Sequence, residues 1–131
     1  MCSTDYDPPS MYETTLRKAR KAHKCGECYR AIQPGETYQH VAGIWDGSFD
    51  THKTCPHCVV GQKLLLDQCH GYLHEGIKED LVEHLWPSIP WAMDAARLVV
   101  GMRRKWVRFD GKGLMAPPII RYDDEKAKGA E

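Results

Sequence analysis

The hydrophobic and polar positions divide the chain into a short-period half and a helical half. Thr37 to Ile44 reads as a β-strand, Asp46-Gly47 as a tight hairpin turn, and Ser48 to His52 as the returning strand. From Pro56 to Leu73, Val59, Leu65, Leu66, Cys69, Tyr72 and Leu73 recur at helical spacing, with Gln62 the polar exception. Upstream, Ser10-Met11-Tyr12-Glu13 has the form of a capping box, while Thr14, Thr15 and the alternation near Leu16 equally permit a strand. Gln33-Pro34-Gly35-Glu36 is a turn built around Pro-Gly. Farther on, Ile77, Leu81, Leu85 and Trp86 mark a short amphipathic helix stopped by Pro87. Ser88 is placed to cap another helix with Pro90 in its first turn and a stripe of Trp91, Ala95, Leu98, Val99 and Met102, ending near Trp106. Val107 to Phe109, Asp110-Gly111 and Leu114-Met115 then suggest a small hairpin.

Two cysteine pairs sit at the joints of this pattern. Cys25-Gly-Glu-Cys28 precedes the hairpin, and Cys55-Pro-His-Cys58 opens the first helix. Each short pair chelates from one turn, and the hairpin between them brings the halves together, which is what a tetrahedral Zn²⁺ requires. Knuckle, hairpin and helix in that order predict an α+β fold of the treble-clef zinc-finger type with a helical C-terminal extension. The expected organisation is a disordered N-terminus at 1–9, a zinc module at 10–75, a helical extension packed on it at 76–121 and a flexible tail at 122–131. A closed site of Cys25, Cys28, Cys55 and Cys58 leaves no open position for water or substrate, so the one expected zinc ion is structural. Lys24 and Lys53 flank the ligands and are placed to offset the thiolate charge.

Six cysteines also admit three disulfides. Against them, Met1-Cys2-Ser3-Thr4-Asp5 lacks the basic start and apolar core of a signal peptide, and no apolar run approaches the roughly 18 residues of a membrane span. The expectation is a cytoplasmic protein with reduced cysteines, no membrane partner and no small-molecule substrate.

The formal net charge is zero, but the charges are segregated. Arg17, Lys18, Arg20, Lys21, Lys24 and Arg30 face Glu27 within 17–30, and Arg97, Arg103, Arg104, Lys105, Arg108, Lys112 and Arg121 face Asp110 within 97–121. Two basic segments on a neutral chain suit either a nucleic acid or an acidic protein surface.

The stretch from Arg17-Lys18-Ala19-Arg20-Lys21 through Cys58, with Gln33-Pro34-Gly35-Glu36-Thr37-Tyr38 and Trp45-Asp46-Gly47, resembles small zinc proteins of tailed bacteriophages and prophages. Arg103-Arg104-Lys105-Trp106, Asp110-Gly111 and Leu114-Met115 are similar to the same group. The resemblance implies a bacterial host cytoplasm and raises a host protein complex, in defence or regulation, as the partner. A narrower likeness links His52-Lys53-Thr54-Cys55 to the fingers of poly(ADP-ribose) polymerases, which pair Cys-x-x-Cys with His-x-x-Cys. It implies a Cys25, Cys28, His52, Cys55 ligand set, with Cys58 outside it.

Catalytic readings are thinner. His40, His57 and His70 invite a treble-clef nuclease, and Cys69, His70, His74 and His84 a second metal site. Cys69 lies on the apolar stripe, where a buried core cysteine is the simpler reading. The expected function is therefore non-enzymatic binding and modulation of a host protein, with DNA or RNA binding as the alternative and nuclease activity behind both. Trp45 at the hairpin tip, Trp91, and the basic residues Arg17, Lys18, Arg20, Lys21, Arg103, Arg104, Lys105 and Arg108 are the candidate contacts. Exposed aromatics suit a protein interface.

Overall fold

The computed structural model describes residues 10–69 and 74–121. The expectations for 1–9, Cys2, His70, Tyr72, Leu73 and 122–131 lie outside them. The chain folds as mixed α and β, with a small antiparallel sheet against three helices. Strand β1 (Met11–Lys18) pairs antiparallel with β4 (Thr37–Trp45), and β4 with β5 (Ser48–Thr54), giving the order β1-β4-β5. Between β1 and β4, the two-residue strands β2 (His23–Lys24) and β3 (Ala31–Ile32) close a second ribbon. Helices α1 (Pro56–Cys69), α2 (Ile77–Val82) and α3 (Ala92–Arg103) complete the chain.

The segment with two readings is a strand. Thr14 and Thr15 lie in β1, where β-branched residues fit the pleat, and the full length of β1 is registered against Thr37 to Ile44. The β4–β5 turn has Asp46 and Gly47 both at positive φ, 51° and 79°, as a type I′ hairpin requires.

Helix α1 is described as far as Cys69, and its buried face is shifted from the predicted stripe. Its buried residues are His57, Cys58, Gly61, Gln62, Leu64, Leu65 and Cys69, whereas Leu66 is exposed and Val59 half-buried. The rotation follows from Cys58: once it points inward, residues three, four, seven and eleven positions on follow it. Gln62 is thus carried into the core, and its Nε2 donates to Thr54 Oγ1 at 3.3 Å. Gly61 lets α2 approach, since a Cβ there would lie 3.1 Å from Ile77 Cγ2.

The third helix starts at Ala92, not at Ser88. Trp91 occupies its N-cap position with no side-chain cap, and its ring is buried 4.6 Å from the His84 ring. That burial removes Trp91 from the set of exposed aromatics. Likewise α2 ends at Val82, and His84 turns back so that Nδ1 donates to the Asp80 carbonyl at 2.8 Å. The C-terminal hairpin is reduced to one rung, Val107 against Leu114, with Arg108 N–H donating to the Gly113 carbonyl at 2.8 Å. One core runs through both halves of the chain. It joins the four paired cysteines and Ile32 to Leu64, Leu65, Ile77, Leu81, Trp91, Leu98, Met102 and Trp106.

Candidate metal centre

Cys25, Cys28, Cys55 and Cys58 are all buried, and their four Sγ atoms lie within 4.8 Å of one another. A tetrahedral ion with metal–sulfur bonds of about 2.3 Å places its sulfurs about 3.8 Å apart, close to the 3.9 Å between Cys28 and Cys55. The donor set therefore fits one metal ion. The thiols also need a cation on chemical grounds. Hydrogen bonds from neighbouring thiols hold Cys25 and Cys55 below the ordinary thiol range, while the same contacts and burial push Cys28 and Cys58 above it. Four sulfurs this close cannot all ionise unless a metal takes up the charge.

Local backbone makes each pair converge. In the first, Cys25 N–H donates to the Arg30 carbonyl and Tyr29 N–H to the Cys25 carbonyl, both at 3.0 Å, with Tyr29 at φ 65°. Gly26 N–H donates to the Lys53 carbonyl at 2.8 Å, fastening this turn to the end of β5. The second pair is carried by the junction of β5 and α1, so Cys58 sits in the first helical turn. N–H groups aim at sulfur: Glu27 N and Cys55 N at Cys25 Sγ (3.4 and 3.3 Å), and Trp106 Nε1 at Cys58 Sγ (3.3 Å). Such donors disperse the roughly −2 charge of a four-thiolate site and fix ligand orientation.

The compensating cation is Arg30. Lys24 places its ammonium 5.2 Å from the Tyr29 ring centre instead. Arg30 is 4% exposed, so it leaves the basic surface to which its position in the sequence assigned it. It forms a fork with Glu36 (2.8 and 3.0 Å) and donates to the Ala31 carbonyl (2.9 Å) and His57 Nδ1 (3.1 Å). Desolvation opposes the guanidinium charge, but the Glu36 pair and the Cys55 sulfur outweigh it and raise its pKa. Glu36 is correspondingly held below the usual carboxylate range by Arg30. The His57 tautomer follows from its partners: Nε2 must donate to the Met115 carbonyl, leaving Nδ1 to accept from Arg30. With both nitrogens engaged and the ring buried, His57 is not placed to activate water.

Glu27, between the first two ligands, ties the metal turn to the helical half. Its carboxylate accepts from Glu75 N–H (2.6 Å) and Ile77 N–H (3.2 Å), at the entry to α2. Desolvation raises its pKa to about 7 despite those bonds. The sequence offered no signal for Glu27 or for Trp106 on Cys58, because both act across about 50 residues of chain.

His52, the alternative ligand, is elsewhere. It stacks on His74 with ring centres 4.5 Å apart and meets the edge of Trp45 at 5.2 Å. Trp45 does not project from the hairpin tip: it is half-buried and folds back over Gly43, where a Cβ would come within 2.6 Å of its ring. Tyr12 completes this group, 6.2 Å from Trp45. Desolvation and then His52 lower the His74 pKa to about 4. An imidazole with a folded pKa below its unfolded value supports the fold above about pH 6.5 and loses that support as pH falls toward 4. Replacing His74 with glutamine should therefore flatten stability against pH. The difference between the two proteins should change by about 1 kcal/mol between pH 7 and pH 5, after discounting for partial exposure. Parallel denaturation curves at the two pH values measure it, and an unchanged difference refutes the assignment.

The candidate contact residues divide in two. Arg17, Lys18, Arg20 and Lys21 are exposed and, with His23 and Tyr38, line an open cavity of about 940 Å³. The second basic segment is partly consumed by its own loop. Arg104 donates to the Val107 and Arg108 carbonyls and lies over the Phe109 ring, and Arg108 pairs with Asp110 at 2.7 Å. Lys105, exposed, takes positive φ after α3, while Arg103 is exposed in the last turn. Cys69 is buried with its sulfur 3.5 Å from His84 Nε2, and His74 is grouped instead with His52. Among the described residues the four-cysteine cluster is the one group placed to hold a metal, and no helix is long and apolar enough to cross a membrane. Comparison with known proteins finds no matching family model, curated protein or solved structure.

Proposed function

We propose that this chain is a treble-clef zinc protein that works by binding, and that its partner is a protein. Zinc is the ion best suited to four cysteine ligands in a tetrahedral cage, and a cage with four protein ligands is of the structural kind. The order of metal turn, hairpin and ligand-bearing helix supports the treble-clef reading. Likeness to phage proteins makes a host regulatory or defence complex the first partner to test.

The observation that carries the protein partner is Trp86. Of the four tryptophans, Trp91 and Trp106 are buried and Trp45 is half-buried, whereas Trp86 is 58% exposed. With Val82, Glu83 and Leu85 it lines a depression of about 420 Å³ after α2. Exposed tryptophan beside aliphatic side chains is the composition of an interface anchor. Glu79 and Glu83 are exposed on the same segment, which favours a partner whose apolar insert is flanked by basic residues. A photo-crosslinking residue at position 86, used in bacterial lysate, should give a discrete adduct that Leu85→Ala weakens. Adducts at position 86 no different from those at exposed Lys112 would remove this surface from consideration.

A further inference from the structure

The cavity beside β1 has four cationic side chains in its lining, and the metal turn plays no part in it. Arg17 and Lys18 end β1, opposite Tyr38 and Thr37 of β4. The chain beyond them is pinned: Ala19 N–H donates to the Glu36 carbonyl and Gly35 N–H to the Ala19 carbonyl, both at 2.8 Å. Gly35 holds φ 94° in that turn, a conformation that glycine adopts without strain. The backbone carrying Arg20 and Lys21 is therefore held against the sheet before any ligand arrives. Tyr38 and His23 pack together with ring centres 5.0 Å apart and, with Ala19, give the cavity an apolar and aromatic floor beneath a cationic rim.

The Glu36 carboxylate, one residue beyond Gly35, is engaged elsewhere. Glu36 gives both oxygens to Arg30 and one of them also to Gln33 N–H (2.7 Å), so it does not neutralise the four surface cations. The field extends across the sheet face. His40 is held below its ordinary pKa by desolvation first and then by the Arg17 and Lys53 charges, with Glu13 opposing.

We infer that this cavity binds the phosphodiester backbone of a nucleic acid, with Arg17, Lys18, Arg20 and Lys21 contacting phosphates and the Tyr38–His23 floor facing sugar. Arg17 and Lys18 close β1, and Arg20 and Lys21 stand on the bend that follows it, so four cations gather around one cavity. Several like charges on one cavity suit a polymer whose anionic charges repeat along its length. An acidic protein surface distributes its carboxylates without such a repeat and places no sugar against the floor. Arg104 and Arg108 are held by their own loop, so the second basic segment contributes less.

The test is fluorescence anisotropy of the full chain with labelled single-stranded and duplex oligonucleotides of random sequence, from 50 to 200 mM NaCl. Four phosphate contacts predict a slope of log K on log salt of about −3.6 for duplex and −2.8 for single strands, so affinity should fall about 150-fold or 50-fold across this range. Arg20→Gln with Lys21→Gln should halve the slope, to about −1.8 for duplex, because two contacts are gone. Both substitutions are on the surface, and far-UV circular dichroism verifies that the fold is retained. Arg103→Gln should leave the slope within error. A slope near the predicted value on either oligonucleotide, halved by the double substitution, supports the site. Three results overturn it: no anisotropy change at 50 mM salt, a slope the double substitution does not move, or poly-glutamate bound as tightly as the oligonucleotides.

Discussion

Serine in place of Cys58 is expected to abolish stoichiometric metal binding and, with it, cooperative unfolding. The size of the effect follows from how much of the molecule depends on one cage. Structural zinc contributes an apparent binding free energy of about 10–16 kcal/mol near neutral pH, while a domain's whole net stability is about 5–15 kcal/mol. Cys58 also sets the phase of α1, accepts the Trp106 indole N–H, and lies in the one core shared by both halves of the chain. A hydroxyl would leave a three-sulfur site with a weak fourth ligand and a poorer acceptor for the indole. Metal analysis of purified protein should find close to one ion per native chain and far less in the variant. Its thermal transition should broaden or vanish, as it should for native protein after chelation. Zinc should restore the chelated native chain but not the variant. His52→Ala is the matched control, because His52 packs on Trp45 and His74 away from the sulfurs. Native-like metal content and melting in Cys58→Ser, or metal loss in His52→Ala, would show the ligand set to be wrong.

The contrast between Cys58 and Gln62 shows what the sequence could and could not reveal. Both cysteine pairs announce themselves because chelation from a single turn is a local constraint, and local constraints leave fixed spacings. The Asp46-Gly47 turn is legible for the same reason: a two-residue hairpin needs positive φ at both positions, and this dipeptide tolerates it. Gln62 looked like a break in an apolar stripe, yet it is buried one turn beyond Cys58 because the metal ligand fixes which side of α1 faces inward. Hydropathy sees average character; it does not see that one inward-facing ligand overrides a leucine such as Leu66.

Charge follows the same logic. Arg30 belongs to a basic stretch by position, but it is buried in a fork with Glu36 beside the sulfurs. Its neighbours Arg17 to Lys21 remain at the surface because β1 and the Gly35 turn hold their backbone there. Whether a cation solvates a face or completes a buried network depends on contacts between strands and turns, and these are absent from a linear pattern. Trp45 and Trp91 make the point for aromatics. Their expected exposure gave way to packing over Gly43 and against His84, whereas Trp86, read as part of a helix stripe, is the tryptophan left at the surface.

Trp106→Phe and Trp106→Ala are expected to separate the two ways in which the C-terminal segment supports the metal. Helix α3 ends in a Schellman arrangement: Trp106 N–H donates to the Gly101 carbonyl at 2.7 Å and Lys105 N–H to the Met102 carbonyl at 3.0 Å. Lys105 and Trp106 both hold positive φ, 52° and 60°, which costs on the order of 1–3 kcal/mol each in a residue with a Cβ. The compensation is the indole, 2% exposed, tilted 5.3 Å from the His57 ring and donating to Cys58 Sγ. Alanine removes both packing and donor, and buried tryptophan truncations cost about 3–5 kcal/mol. Phenylalanine keeps most of the packing but leaves the thiolate without its N–H. Its stability loss should be smaller, and its zinc affinity should fall by roughly 10–100-fold, the usual consequence of removing a group that orients a metal ligand. Gly101→Ala provides an independent route to the same contact, since a Cβ there would lie 2.1 Å from Trp106 Cζ3 and would have to displace the ring. Competition against a chromophoric zinc chelator, read beside thermal melting, distinguishes the outcomes. Weaker zinc binding in Trp106→Phe at near-native stability establishes the N–H···S bond as a determinant of affinity. Equal affinity in native protein and Trp106→Phe would reduce Trp106 to a packing residue, with α3 tied to the metal half by apolar contact and the His57–Met115 bond.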